Sequence, residues 1–205
     1  MEDYFFDFKD FKVEIEKKLA SQLIEAETLF KQFSTKLAQD HKLKINNINE
    51  LFKILSTLPY KKNYLSHPIR VAHSLKFIIK NQNIKDINFA LCHNIIENGF
   101  LNKVKNQYLT DDQVNKIEIL TINRKNEGNK KYLDKYYDKI ENHSEELILF
   151  KALDKLDNTL LGTVFHFNDH HINVIKKQVC PRVKKYNLDI AKYLDDLVDY
   201  IVANR

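Results

Sequence analysis

The amino-acid sequence predicts an all-α protein, and three observations lead to this prediction. The chain of 205 residues contains only three glycines and three prolines, so it has few of the residues that form tight turns. Hydrophobic residues make up 43% of it, which is ample for a buried core. They recur at steps of three and four residues through most of the chain, which is the period of an amphipathic helix. At this length we expect one domain, or one domain with a short extension.

The N-terminal residues 1–40 predict one long amphipathic helix or a pair of helices. Their apolar residues recur at helical spacing, with Lys and Glu between them: Phe8, Phe11, Ile15, Leu19, Leu23, Leu29, Phe33 and Leu37. Phe5 and Phe6 join Phe8 in an aromatic patch, which either packs into the core or forms a contact in a homo-oligomer. We therefore divide the chain into an N-terminal helical extension, residues 1–45, and a helical domain, residues 46–205.

Two helices follow, with an interruption between them. The first is predicted over residues 47–57, and residues 58–63 break it. The second begins at His67-Pro68, because proline fits the first turn of a helix, and His67 is then the cap residue. Its apolar stripe extends back to His67 and consists of Val71, Ala72, Leu75, Ile78 and Ile79. We expect His67 to face the core and His73, which lies off the stripe, to be exposed.

A central helix is predicted from Asp86 to Asn98, with Gly99 as its C-cap. It is apolar on nearly every side, which is typical of a buried helix. Yet it carries four polar residues close together, namely His93, Asn94, Glu97 and Asn98. Buried polar groups are costly unless they have partners. The partner is either a metal ion with a polar substrate or, for a His–Asn pair, the backbone itself.

The second half of the chain predicts four more helices. They are a helix capped by Thr110, one from Tyr132 to Ile140, one capped by Ser144, and one over residues 183–203. The polar residues 123–130 form a loop of the kind that often carries function. On the helix capped by Ser144, Asp154 and Asn158 are i, i+4 neighbours, so both side chains can point into one site.

Composition and charge argue against several classes of function. The net charge is +5, but the lysines are spread evenly rather than gathered on one face, so nucleic-acid binding is not expected. No apolar run approaches the ~20 residues that span a bilayer, and the acidic N-terminus lacks a secretory signal. Cys92 and Cys180 are far apart, and Cys92 is interpreted as a small buried hydrophobe. We expect a cytoplasmic protein with no membrane partner.

The unusual polar residues lie on three predicted helices and indicate a metal site. His67, His93 and Asp154 offer two imidazoles and a carboxylate, which suits a divalent transition metal such as Mn²⁺, Fe²⁺, Co²⁺ or Zn²⁺. Such an ion lowers the pKa of a water molecule and polarises a phosphoryl oxygen. Glu97 lies one helical turn after His93 and is placed to position or deprotonate that water.

Three motifs in this order resemble those of a known family. Residues 67–72 read H-P-I-R-V-A, residues 90–98 read A-L-C-H-N-I-I-E-N, and residues 151–158 read K-A-L-D-K-L-D-N. They resemble the motifs of the HD-domain metal-dependent phosphohydrolases. Within that family they are most similar to the (p)ppGpp hydrolases, which include the hydrolase half of the Rel and SpoT proteins and small stand-alone relatives. The resemblance covers about residues 58–161.

The resemblance carries expectations about fold, site and reaction. It implies an HD-like helical bundle, to which the N-terminal amphipathic helix is added. The implied metal ligands are His67, His93, Asn94 and Asp154, with Mn²⁺ as the first metal to try. The implied acid–base and water-positioning pair is Glu97 and Asn98, and the residues implied to contact the nucleotide are Tyr64, Arg124 and Asn158. The implied reaction is hydrolysis of the 3′-pyrophosphate of guanosine 3′,5′-bis(diphosphate).

The sequence departs from the family pattern at two positions, where Asn94 and Asn98 stand in place of aspartates. An asparagine oxygen still coordinates a metal ion but brings no charge, so binding is weakened. Three hypotheses follow. The chain is an active metal-dependent phosphohydrolase that acts on a nucleotide, or a degenerate HD domain that binds a nucleotide or a protein partner without turnover. The third is a helical interaction or dimerisation protein with a relict site.

Overall fold

The computed structural model describes residues 4–41, 45–60, 64–160 and 168–204, and over these ranges the chain is helical and has no strand, as predicted. None of the helices in these ranges has the length and apolarity needed to cross a bilayer. In chain order the helices are α1 (Phe11–Leu23), α2 (Ala26–His41), α3 (Asn46–Ser56), α4 (Ser66–Ser74), α5 (Ile84–Cys92), α6 (Lys105–Tyr108), α7 (Asp111–Leu120), α8 (Lys130–His143), α9 (Glu145–Thr159), α10 (Asp169–Val174), α11 (Cys180–Val183) and α12 (Leu188–Ala203).

One compact unit consists of Met1–Phe5 and Ala20–Thr121. In this unit α4 packs against α2 and α5, and α3 packs against α5. The packed faces are apolar, and the rings of Phe30 and Phe52 stack with their centroids 3.8 Å apart. α5 starts at a capping box between Asn83 and Asp86, which satisfies amide groups that a helix start leaves without partners.

A second compact unit consists of Phe6–Leu19 and Ile122–Arg205. In this unit α8, α11 and α12 pack against α9, most of whose residues are buried. As predicted, Ser144 caps α9 and its hydroxyl accepts a hydrogen bond from the Leu147 amide at 3.1 Å. The last helix was predicted over 183–203 but begins only at Leu188, because Asn187 caps it there.

The N-terminal residues form two helices, α1 and α2, which is one of the two predicted arrangements. Phe5 and Phe6 are buried, so these two rings of the predicted aromatic patch pack within the chain. Phe8 meets the edges of Phe6 and Tyr193, with centroids 5.3 and 4.9 Å apart. The boundary at residue 45 and a homo-oligomer formed through the N-terminal helix stay predictions.

The predicted exposure of His73 and the predicted length of the helix that carries His67 are both wrong. His73 is buried rather than exposed, because the ring of Phe5 stacks on it with centroids 4.1 Å apart. The helix does not continue to Ile79 either, since α4 ends at Ser74 and a 3₁₀ turn follows. The Ser74 hydroxyl donates to the Arg70 carbonyl at 2.7 Å, a side-chain bond that competes with regular helical bonding.

Candidate functional site

His67 is the second residue of α4 and is half-buried. The prediction that it caps the helix is wrong, because the helix starts one residue earlier and Leu65 occupies the cap position without a side-chain bond. The His67 amide donates instead to the Tyr64 carbonyl at 3.2 Å. The imidazole therefore stands in the first turn of α4, and its backbone is tied to Tyr64.

His93 follows directly after the end of α5 and is 3% exposed. Its Nδ1 lies 2.7 Å from the carbonyl oxygen of Ala90. Because a carbonyl only accepts, Nδ1 carries the hydrogen. A histidine that binds a metal through Nε2 commonly donates its other ring N–H to a backbone carbonyl in this way.

The two imidazoles meet through their Nε2 atoms. His67 Nε2 and His93 Nε2 are 3.2 Å apart, and the ring planes are inclined by 66°. With metal–nitrogen bonds of about 2.1 Å, two ligands of one ion lie about 3.0 Å apart at a right angle and about 3.4 Å apart at the tetrahedral angle. The observed separation lies between these values, so the pair has the spacing of two ligands on one ion.

The segment after His93 differs from the prediction. The central helix was expected to run from Asp86 to Asn98, but α5 covers Ile84–Cys92 and residues 93–99 form successive turns. Gly99 closes them at φ +78°, in the left-handed region expected of a C-cap glycine. The four polar residues are therefore not buried together. Only His93 is buried, Asn94 and Asn98 are half-buried, and Glu97 is exposed.

The Asn98 side chain makes two hydrogen bonds. Its Nδ2 donates to the Tyr64 hydroxyl at 2.8 Å and to the Asn94 carbonyl at 2.8 Å. The Tyr64 ring in turn stacks on Tyr60, with centroids 4.5 Å apart. The structure thus brings together Tyr64 and Asn98, which the resemblance assigned to different roles, one to substrate binding and the other to catalysis.

Asp154 lies inside α9 and is 4% exposed. One carboxylate oxygen pairs with Lys151 Nζ at 2.9 Å, and the other accepts from Asn158 Nδ2 at 3.0 Å. Burial opposes the charge of Lys151, but Asp154 and the hydroxyls of Tyr136 and Tyr137 outweigh burial and raise its pKa well above the usual value. The predicted i, i+4 contact between Asp154 and Asn158 is present.

Two features of this region were not predicted from the sequence. Asp157 is fully buried and forms an ion pair with Lys18 of α1, from which it is separated by 139 positions. Lys155 has a pKa lowered to about 8, first by burial and next by the charge of Lys151. A local signal existed only for Lys155, which is a cation on a helix rich in leucine. Nothing near Asp157 in the sequence indicates Lys18.

Arg124 lies in a 3₁₀ turn of the predicted loop and is exposed. Its guanidinium forms an ion pair with Glu127 at 3.2 Å. The expectation that Arg124 contacts a nucleotide therefore stays a prediction. Of the stretch that resembles the phosphohydrolases, residues 61–63 and 161 lie outside the described part of the chain.

His67 and His93, both in the first unit, offer two imidazole nitrogens that could serve as ligands of one metal ion. Imidazole nitrogens suit a transition metal better than Mg²⁺ or Ca²⁺. The Nδ1 hydrogen bond of His93 and the spacing of the two imidazoles both fit such an ion.

Comparisons with protein-family models, with curated protein sequences and with solved structures return no match. What the chain does must therefore be inferred from the chemistry of its own residues.

Proposed function

We propose that the chain is a metal-dependent phosphohydrolase that acts on a nucleotide, with guanosine 3′,5′-bis(diphosphate) as the first substrate to test and its 3′-pyrophosphate as the leaving group. The observation that carries the proposal is the 3.2 Å separation of the His67 and His93 Nε2 atoms. The third ligand in the proposal is Asp154, which the resemblance of the motifs implies. The resemblance of the three motifs to the HD-domain phosphohydrolases supports the choice of reaction.

The proposal gives each residue a role. His67, His93 and Asp154 hold a divalent ion, preferably Mn²⁺, with the Asn94 oxygen as an uncharged fourth ligand. The ion supplies a Lewis acid for a phosphoryl group. The Glu97 carboxylate is exposed, so it can take a proton from an incoming water molecule.

Residues around the ligands have supporting roles in the proposal. Lys151 and Asn158 hold the two oxygens of Asp154 in place, as groups that hydrogen-bond to metal ligands commonly do. Tyr64, Asn158 and the Arg124 guanidinium contact the nucleotide. A cytoplasmic location belongs to the same proposal, and the free thiols of Cys92 and Cys180 are consistent with a reducing compartment.

The test is hydrolysis by the purified chain loaded with Mn²⁺. We expect release of pyrophosphate from guanosine 3′,5′-bis(diphosphate), and loss of that release in His93→Ala and Asp154→Asn. His143→Ala is the matched control, because it removes a histidine at the end of α8 that has no part in the proposed site. If neither this substrate nor a panel of other nucleotides yields product, the proposal is wrong.

A second candidate is a domain that binds a nucleotide or a protein without turnover. It is favoured by the amide at Asn98, both of whose N–H groups already have acceptors, where the resemblance implies an aspartate. Thermal unfolding with and without Mn²⁺ separates the two candidates, because an ion that binds only the folded state raises the melting temperature. No shift in the wild type, together with a shift in Asn94→Asp, would favour the binding domain.

A further inference from the structure

The two histidines stand where helical hydrogen bonds do little to fix them. His67 is in the first turn of α4, where amide groups have no acceptor four residues back. His93 lies past the end of α5, in the turns of residues 93–99. Packing of α4 against α5 brings the helices together. It does not by itself set the separation of two side chains that project from helix ends.

A side-chain hydrogen bond joins the two segments that carry these histidines. Asn98 Nδ2 reaches the Tyr64 hydroxyl at 2.8 Å. The same nitrogen donates to the Asn94 carbonyl at 2.8 Å, and the Asn98 amide donates to that carbonyl as well, at 3.3 Å. At the other end, the Tyr64 carbonyl accepts from the His67 amide. The path from one histidine segment to the other thus consists of short, directed bonds.

We propose that Asn98 is a positioning residue, whose side-chain amide clamps the turn that carries His93 to Tyr64 and thereby sets the separation of the His67 and His93 imidazoles. The proposal deepens the metal site of the proposed function and rests on it where metal affinity is concerned. The clamp itself concerns the metal-free protein, so it can be tested without an ion.

The clamp requires an amide at position 98 rather than a carboxylate. The Asn94 carbonyl accepts only, and an aspartate oxygen 2.8 Å from it would repel it. An aspartate could still accept from the Tyr64 hydroxyl, but it would lose the bond that closes the turn. We therefore expect Asn98→Asp to loosen the arrangement of the two histidines.

The experiment compares three variants of the full chain. Asn98→Ala removes the clamp, and Tyr64→Phe removes only the hydroxyl, so it keeps the test open if Asn98→Ala does not fold. Asn88→Ala is the matched control, because Asn88 in the same unit also ties segments together, through bonds to Asn47 at 2.9 Å and to the Tyr108 carbonyl at 3.1 Å. That control loses a comparable amide without touching either histidine segment.

The first measurement is nuclear magnetic resonance of the imidazole rings in metal-free protein, assigned with His67→Ala and His93→Ala. We expect the signals of both rings to move in Asn98→Ala and Tyr64→Phe and to stay in place in Asn88→Ala. The second measurement is titration with Co²⁺, whose visible absorption reports its ligands. We expect the affinity for Co²⁺ to fall about tenfold or more in both clamp variants, as when other groups that orient metal ligands are removed, and to be unchanged in Asn88→Ala.

The outcomes separate this proposal from the proposed function. Unmoved ring signals in both clamp variants overturn the clamp, whatever the metal affinity. Moved signals with unchanged Co²⁺ affinity overturn the link between clamp and metal site. If the wild type binds no Co²⁺ at all, the proposed function fails, and the ring signals alone then support or overturn the clamp.

Discussion

Helix α9 and the turns of residues 93–99 both place polar groups near a buried apolar surface, but they do so differently. In α9 the helix continues without a break through Asp154 and Asp157, which are both buried. In the other segment the helix stops at Cys92, and the Glu97 side chain is exposed. One region keeps its carboxylates inside the protein, and the other turns its carboxylate out to solvent.

The difference follows from the available counter-charges. Each buried carboxylate of α9 has a buried lysine, Lys151 for Asp154 and Lys18 for Asp157. The buried residues of α5 are all uncharged, namely Ile87, Asn88, Ala90, Leu91 and Cys92. A buried charge is costly unless an opposite charge lies beside it. The buried carboxylates of α9 meet this condition through Lys151 on the same helix and Lys18 on α1.

The largest expected effect is on the buried ion pair of α9. Lys18→Met leaves the fully buried Asp157 carboxylate without its cation, and we expect a loss of about 3–5 kcal/mol in the free energy of unfolding. Glu97→Gln removes a carboxylate from the exposed segment and should change that free energy by at most about 0.5 kcal/mol. Urea unfolding of both variants measures the contrast.

The double variant Lys18→Met/Asp157→Leu is the control for this prediction. Replacing a buried pair by apolar residues is often neutral or stabilising. We therefore expect most of the lost stability to return. Equal losses in Lys18→Met and Glu97→Gln would show that the counter-charge explanation of the two regions is wrong.

The helical class and several helix starts could be predicted from the sequence because their signals are local. The cap residues Thr110 and Ser144 are correct, since a cap acts on amides two or three residues away. The proximity of His67 and His93 was also predicted, from the unusual polar residues on the predicted helices and from the resemblance of the motifs. The roles of the site residues remain predictions.

The remaining features depend on contacts between distant residues. The apolar pattern continues through Ile95 and Ile96, so it cannot show that α5 ends at Cys92. His73 was expected to be exposed because it lies off the apolar stripe of its helix. The ring that covers it, Phe5, lies far away in the sequence, near the N-terminal end. The same holds for Asp157, whose partner is Lys18. The periodicity of a sequence shows which face of a helix is apolar, but it does not show which distant side chain covers that face.

An intermediate effect is expected at Gly99, which ends the turns of residues 93–99. Its φ of +78° is strained for an L-residue, while an added Cβ meets no atom within 4 Å. Gly99→Ala should therefore cost about 1 kcal/mol through the backbone alone, and Gly99→Asn less, because asparagine tolerates this conformation.

Gly128 is the matched control for this prediction. An added Cβ there also meets nothing within 4 Å, and the backbone φ is not in the left-handed region. Gly128→Ala should be neutral or slightly stabilising in the same urea experiment. A loss at Gly128 as large as that at Gly99 would mean that backbone strain does not close the turns.

The smallest effect concerns Glu14, one turn before Lys18 on α1. Its carboxylate is buried, with Lys17 Nζ at 3.5 Å and the Asp7 amide at 3.2 Å. Burial raises the pKa of Glu14, and Lys17 and the Asp7 amide offset part of that rise, while the charge of Asp7 adds to it. A carboxyl whose pKa is raised on folding holds its proton more tightly in the folded state. The contribution of Glu14 to the free energy of unfolding is therefore most favourable below pH 4.5, and it is lost as the pH rises through the folded-state pKa.

We expect the stability of Glu14→Gln, relative to that of the wild type, to increase as the pH rises from 4 to 7. The reason is that glutamine is uncharged and needs no proton to be buried. Urea midpoints of the two proteins at both pH values measure this, and Glu16→Gln, at the exposed neighbouring position, separates burial from the loss of a carboxyl. A midpoint difference that shrinks toward pH 7 would show that Lys17 and Asp7 hold Glu14 as a stabilising anion. Glu14 would then resemble Asp157 in being a buried carboxylate with a lysine beside it. α1 would carry two buried charges that have an opposite charge nearby, Glu14 and Lys18, rather than Lys18 alone.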